Sequence, residues 1–221
     1  MPLSGNGMLI TKMNVDASEE ADFNDWYDKE HIAERVGIEG FTEARRYIAV
    51  DASIKYLNLY TVRSFDVLES PQYKAALQNQ TARSIHHIER FRDSGRAVVK
   101  VLASLGQGRG ASLFFISIRP LVENKEALKN SLVAPMTNLV EENNIISTHL
   151  VGSNPHLSKP LTETVPPPSA SDWYILIEGT DADSVRQVGQ AYIDDALNTS
   201  SEKLISQGLY QLMWDLSVAE L

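Results

Sequence analysis

The sequence predicts an α+β protein made of two β-α-β-β-α-β units in tandem, with antiparallel sheets packed together as one barrel. Three observations carry this expectation. Hydrophobic periodicity alternates between the strand and helix rhythms in that order twice along the 221 residues. The two runs keep step: Leu9 set against Leu113 gives an offset of 104 residues that holds through the first helix and second strand, and a fixed period signals a repeated unit. Several strands are apolar on both faces, as in Leu113-Phe114-Phe115-Ile116 and Val98-Val99-Lys100-Val101-Leu102. Helices can cover one face, and a second sheet must cover the other.

Each element has its own signal. Residues 8–15 read as a strand and 18–38 as a helix, with Ser18 as N-cap and Glu19, Glu20 and Asp22 complementing its positive end. Gly37 and Gly40 stop that helix. Strands are expected at 41–50 and 56–64, a helical region at 65–92 broken near Ser70-Pro71, and a closing strand at 96–105. The second unit repeats the order, with strands at 112–119, 145–152, 172–179 and 208–218 and helices at 124–143 and 181–201. Pro135 is expected to kink or delay the first of these helices. Domains are therefore expected at 1–106 and 107–221, with Val99, Val101, Phe114 and Ile116 at the contact between them. Residues 106–110 read as a linker, because strands flank them and the spacing of a phosphate loop is missing. Residues 153–171 hold five of the nine prolines and read as an extended, mobile loop.

Composition narrows the function classes. Hydrophobic residues make up 43% and charged residues 22% of the chain, the balance of a globular protein with a real core. The net charge of −9 argues against a nucleic-acid surface, which needs clustered Lys and Arg. The acidity is concentrated in residues 108–221, with 7 basic and 14 acidic side chains against 13 and 15 in residues 1–107. With no cysteine, disulfides and thiolate chemistry are excluded. Neither a signal peptide nor an apolar run long enough to span a membrane is visible, so a cytoplasmic protein with no membrane partner is expected. The Asn79-Gln80-Thr81 and Asn198-Thr199-Ser200 sequons then read as chance matches.

The most informative segment is Phe-Asn-Asp-Trp-Tyr-Asp-Lys-Glu-His at residues 23–31, followed by Gly40-Phe41 and Ala44-Arg45-Arg46-Tyr47. On a regular helix Phe23, Trp26, Tyr27, Glu30, His31 and Glu34 share one stripe, which puts rings, carboxylates and an imidazole on the face toward the sheet. The segment resembles an uncharacterised branch of the dimeric α/β-barrel superfamily, related to EthD-like, stress-responsive, muconolactone isomerase-like and cofactor-independent monooxygenase proteins. That resemblance is specific over about residues 8–105 and topological beyond. It implies ferredoxin-like units, a fused pseudo-dimer within one chain with pairing of whole chains optional, and a site for a small apolar or aromatic ligand between helices and sheet, with no cofactor.

The candidate site residues follow. His31 is the candidate acid/base, since an imidazole near its ordinary pKa beside a carboxylate exchanges protons near neutral pH; the alternative is a packed core histidine satisfied by Glu30 or a backbone carbonyl. Strand alternation puts Arg45 and Tyr47 on one face and Arg46 on the other. Either arginine could hold an anionic oxygen, or pair with Glu30 or Glu34. Phe23, Trp26, Tyr27, Glu30, Tyr47, Tyr56 and Tyr60 are the candidate ligand-binding residues, with core packing as the alternative. His86-His87 with Arg83, Arg90 and Arg92 reads as a solvated basic face, because adjacent histidines diverge by about 100° on a helix. No metal site is expected, and His149 and His156 read as isolated. An enzyme and a non-catalytic, stress-associated binder remain nearly level, ahead of a purely structural barrel filled by its own side chains, since fold does not settle function.

Overall fold

The computed structural model describes residues 3–159, 165–197 and 201–221. Eight strands run β1 (Gly7–Asn14), β2 (Phe41–Asp51), β3 (Tyr56–Val62), β4 (Arg92–Gly106), β5 (Ser112–Pro120), β6 (Ile145–Ser153), β7 (Trp173–Gly179) and β8 (Glu202–Ser217). Their spatial order, β1-β3-β2-β8-β5-β7-β6-β4, closes into a barrel. Each half supplies the antiparallel four-stranded sheet of a ferredoxin-like unit, ordered 4-1-3-2. The two sheets meet edge to edge at two seams, where β2 pairs with β8 (Arg46 opposite Trp214) and β4 with β6 (Val101 opposite Val151).

This closure explains the strands that are apolar on both faces. One face looks into the barrel, where Met8, Ile10, Leu57, Leu59, Val99 and Phe115 form part of a shared core. The other looks outward under helices. Val99 and Val101 face the interior as expected, but Phe114 and Ile116 lie in the outer core beneath the second-half helices, and Leu113 and Phe115 take the inner positions. With a side-chain period of two, a one-residue difference in facing reverses every assignment on a strand.

Helices cover the outside. Segments Glu20–Trp26, Tyr27–His31 and Ile32–Val36 run on as one helix, α1, and α2 (Pro71–Gln78) and α3 (Ala82–Ile88) complete the first half. In the second half α4 (Lys125–Leu139), the short α5 (Pro155–Ser158) and α6 (Ala182–Ala196) do the same. The N-cap of α1 is Glu19 rather than Ser18, because a turn from the Asp16 carbonyl to the Glu19 N–H (3.0 Å) starts the helix one residue later. Thr81, the last residue of one sequon, caps α3 by accepting from the Ser84 N–H; the sequon at residues 198–200 lies outside the described residues. Pro135 sits inside α4. Leu128, Leu132 and Met136 bury that helix on the sheet, which holds it across the hydrogen bond the proline removes.

The described parts of the proline-rich stretch are more structured than an extended loop. Asn154 caps α5, Ser158 Oγ bonds both the N–H (2.9 Å) and the carbonyl (3.1 Å) of Val98, and a 3-10 turn spans Pro168–Ser171. Residues 160–164 lie outside the described residues. Among the described residues no helix is long and apolar enough to cross a membrane.

Candidate functional site

The site begins with an irregularity in α1. Residues Tyr27–His31 form a π turn, in which the Ile32 N–H reaches the Tyr27 carbonyl five residues back. A π turn accommodates one extra residue and turns everything after it by one position. The stripe expected at 23, 26, 27, 30, 31 and 34 is therefore seen at Phe23, Trp26, Tyr27, His31, Ile32 and Arg35, all buried. Glu30 and Glu34 turn outward instead. Glu30 pairs with Arg83 on the outer surface, and Glu34 stands 3.9 Å from His31 Nδ1.

Between α1, the α2–α3 pair and the sheet lies a cavity of about 570 Å³. Of the residues expected to form the site, it brings together Tyr27, His31 and Tyr60. The Tyr27 and Tyr60 hydroxyls are 2.7 Å apart, and Thr11 Oγ1 lies 3.4 Å from the Tyr27 hydroxyl and accepts from Asn58 Nδ2 (3.3 Å). Burial pushes both phenols above their ordinary pKa, so they stay protonated as hydrogen-bonding groups. His31 packs against Trp26 and Tyr27, with ring centroids 4.4 and 5.0 Å away. Burial, reinforced by the Arg35 charge, pulls its pKa down to about 3. A group expected to exchange protons near neutral pH is thus held as neutral imidazole, and its buried Nδ1 has no hydrogen-bond partner.

The remaining candidates lie elsewhere. Phe23 and Trp26 support the wall from behind: Phe23 meets Tyr56 at 5.0 Å, and Trp26 stacks on His87 at 4.8 Å. Arg46 lies under α1 with its guanidinium 4.7 Å from the Tyr27 ring and 5.0 Å from Tyr56, bound to Asp28 and to Asn24 Oδ1 (2.6 Å). Tyr56 bonds Glu20 and Asn24. Arg45 and Tyr47 point into the barrel, where Arg45 pairs with Glu178 at 2.7 Å and with Glu43 at 3.7 Å. Neither arginine meets Glu30 or Glu34, because the outward turn of those carboxylates removes them. His149 is not isolated: it lies 3.3 Å from Glu178 and 2.9 Å from Ser104 Oγ.

Three cationic residues of the cavity, Lys12, Arg35 and Arg96, are missing from the sequence-based expectation. Burial lowers the Lys12 pKa, with Asp172 opposing. The stem of Lys12 crosses β4 at Gly95, where an added Cβ would sit 2.8 Å from Lys12 Cε. Arg96 donates to the Leu157 carbonyl (2.6 Å) and the Tyr73 hydroxyl (3.1 Å). Arg35 lies four residues after His31, a spacing visible in the sequence. What hides it is the π turn. Apart from the cavity, Glu19, His86 and His87 offer ligand atoms within 4.8 Å of one another, closer than the divergence expected of adjacent histidines on a helix.

An eight-stranded closed sheet from two ferredoxin-like halves, with helices outside and a cavity beneath one helical layer, is the dimeric α/β-barrel fold in a single chain. Solved structures share it at low identity. An anthrone oxidase-like protein matches with a TM-score of 0.67 and 12% identity over 97% of this chain and 94% of its own. A candidate monooxygenase from Fusobacterium nucleatum matches with 0.59 and 10%, over 96% and 97%. A heme-binding protein from Thermus thermophilus matches with 0.57 and 12%, over 95% and 92%. No protein-family model matches the sequence, and no curated protein does.

Proposed function

We propose that this chain binds a small aromatic or polyketide-like molecule in the cavity under α1. The carrying observation is the cavity itself, about 570 Å³ and walled by Tyr27, His31, Tyr60, Tyr73 and Phe91. That volume and an apolar lining with a few convergent polar groups are the marks of a small-molecule site. The name of one neighbour, anthrone oxidase-like, agrees with an aromatic ligand, and that of another, a candidate monooxygenase, with a barrel that acts on a small molecule. The chemistry on offer is polarisation of a ligand oxygen by the paired tyrosine hydroxyls and nearby cations, with neutral His31 as a hydrogen-bonding partner; turnover would be cofactor-independent.

A second reading, a binding barrel without turnover, is favoured by the depressed pKa of His31, which leaves too weak a base for rapid proton abstraction at neutral pH. Native mass spectrometry of the purified protein tests the shared part. A retained aromatic metabolite, lost in His31→Ala and Tyr60→Phe proteins of unchanged fold, is expected. Full retention in both variants would move the site elsewhere, and a Soret absorption would replace this reading with a haem site.

A further inference from the structure

We infer that the ligand is an anion: an aromatic molecule whose carboxylate or ionised enol oxygen is held by Arg35, with Lys12 and Arg96 flanking it. This rests on the cavity being a ligand site, and adds the chemical class of its occupant.

The strongest observation is the solitude of Arg35. Its side chain lines the cavity and the residue is 6% exposed, yet among the described residues no carboxylate lies within ion-pair distance of it. The chain treats its two fully buried arginines differently: Arg45 has Glu178 and Glu43, and Arg46 has Asp28. A buried charge without a partner is costly. Its retention at a cavity wall makes sense if a counter-charge arrives with the ligand.

The surroundings repeat the pattern. Lys12 and Arg96 line the same cavity, and neither makes an ion pair among the described residues. Among the described residues the lining has one acidic residue, Asp172, which is engaged by Arg119 through two hydrogen bonds of 2.7 and 3.1 Å. Among the described residues, three cations against one committed carboxylate make a positive lining in a chain whose net charge is −9, so it does not follow from overall composition. The tyrosine hydroxyls cannot supply the missing charge, since burial keeps both protonated. A lone inorganic ion would leave most of the volume unfilled, whereas Tyr27, Tyr60, Tyr73 and Phe91 offer an aromatic body its walls. Arginine geometry suits a planar, two-oxygen acceptor.

The test compares 2-naphthoate with 2-naphthamide, alike in shape and different in charge, by titration calorimetry. Wild-type protein should bind the carboxylate about tenfold or more tightly than the amide. Arg35→Met should abolish that preference by weakening carboxylate binding about tenfold more than amide binding, and the empty variant should melt no lower than wild type. Lys12→Met, at a half-buried position, should reduce the preference about threefold and covers the case in which Arg35→Met does not fold. Equal affinities in wild type, or equal losses for both probes in the variants, would overturn the anion assignment and leave the cavity as a neutral-ligand site. If neither compound binds, the small-molecule reading itself falls along with it.

Discussion

His31 carries the clearest pH signature among single residues. Its pKa falls from 6.5 in the unfolded chain to about 3 in the fold, so between those values the unfolded state takes up a proton that the native state refuses. Stability is therefore full above about pH 6.5 and declines toward pH 3; His87, also lowered by burial, adds to the same decline. Glu178 adds a second loss. Burial would raise its pKa, but Arg45 and His149 outweigh it and hold it at about 2 against an ordinary 4.5, so its contribution disappears as pH falls from about 4.5 to 2. Urea midpoints should thus drop between pH 6.5 and 4.5, and His31→Gln should flatten that slope; an unchanged slope would place the titrating group elsewhere. Asp28 offers a different test. It binds Arg46 and accepts from Trp214 Nε1 at 2.7 Å, so Asp28→Ala should cost about 3 kcal/mol, measured by denaturant unfolding, with Lys29→Ala near zero. Strand alternation foretells that Arg45 and Arg46 face opposite ways. It cannot foretell their partners, Glu178 on β7 for Arg45 and Asp28 and Asn24 on α1 for Arg46.

Among elements, α1 shows how far periodicity carries. Every expected stripe position up to Tyr27 is buried, and the pattern after it is displaced by one residue. A regular 3.6-residue repeat has no means of announcing a π turn, so the sequence places the aromatic face correctly and offers Glu30 and Glu34 where Ile32 and Arg35 stand. Deleting exposed Lys29 should restore a regular helix with both flanks seated. Circular dichroism and melting should then show a fold as stable as wild type or more so, while affinity for the cavity ligand falls, because His31 loses its present orientation. A collapse in stability would mean that the π turn is needed for packing rather than for the site. The 153–171 stretch teaches the complementary lesson. Its prolines read as a mobile loop, yet the Asn154 N–H and the Ser158 hydroxyl fasten its start to β4, and Pro167, Ser169 and Ala170 stand at the cavity wall; bonds to a strand so distant in the chain leave no periodic trace.

For the molecule as a whole, the architecture is legible because both the doubled element order and the two-faced strands point to it. The manner of closure is not, since nothing in one strand's pattern distinguishes a covering sheet from an edge-on neighbour. The seams also bear on the proposed division at residues 106 and 107. A chain ending at Gly106 should expose β2 and β4 as bare edges and self-associate, seen by light scattering, and adding residues 107–221 in trans should return it to a single soluble species. A monomeric first half would contradict this. The position of β8 has a further consequence for how the protein is made. That strand fills the gap between β2 and β5, so during synthesis the first sheet can be complete long before its outer partner has left the ribosome. Closure waits on Glu202–Ser217, and such pairing between distant parts of a chain is intrinsically slow. The nascent protein passes through a long interval with open edges, during which chaperone capture competes with aggregation.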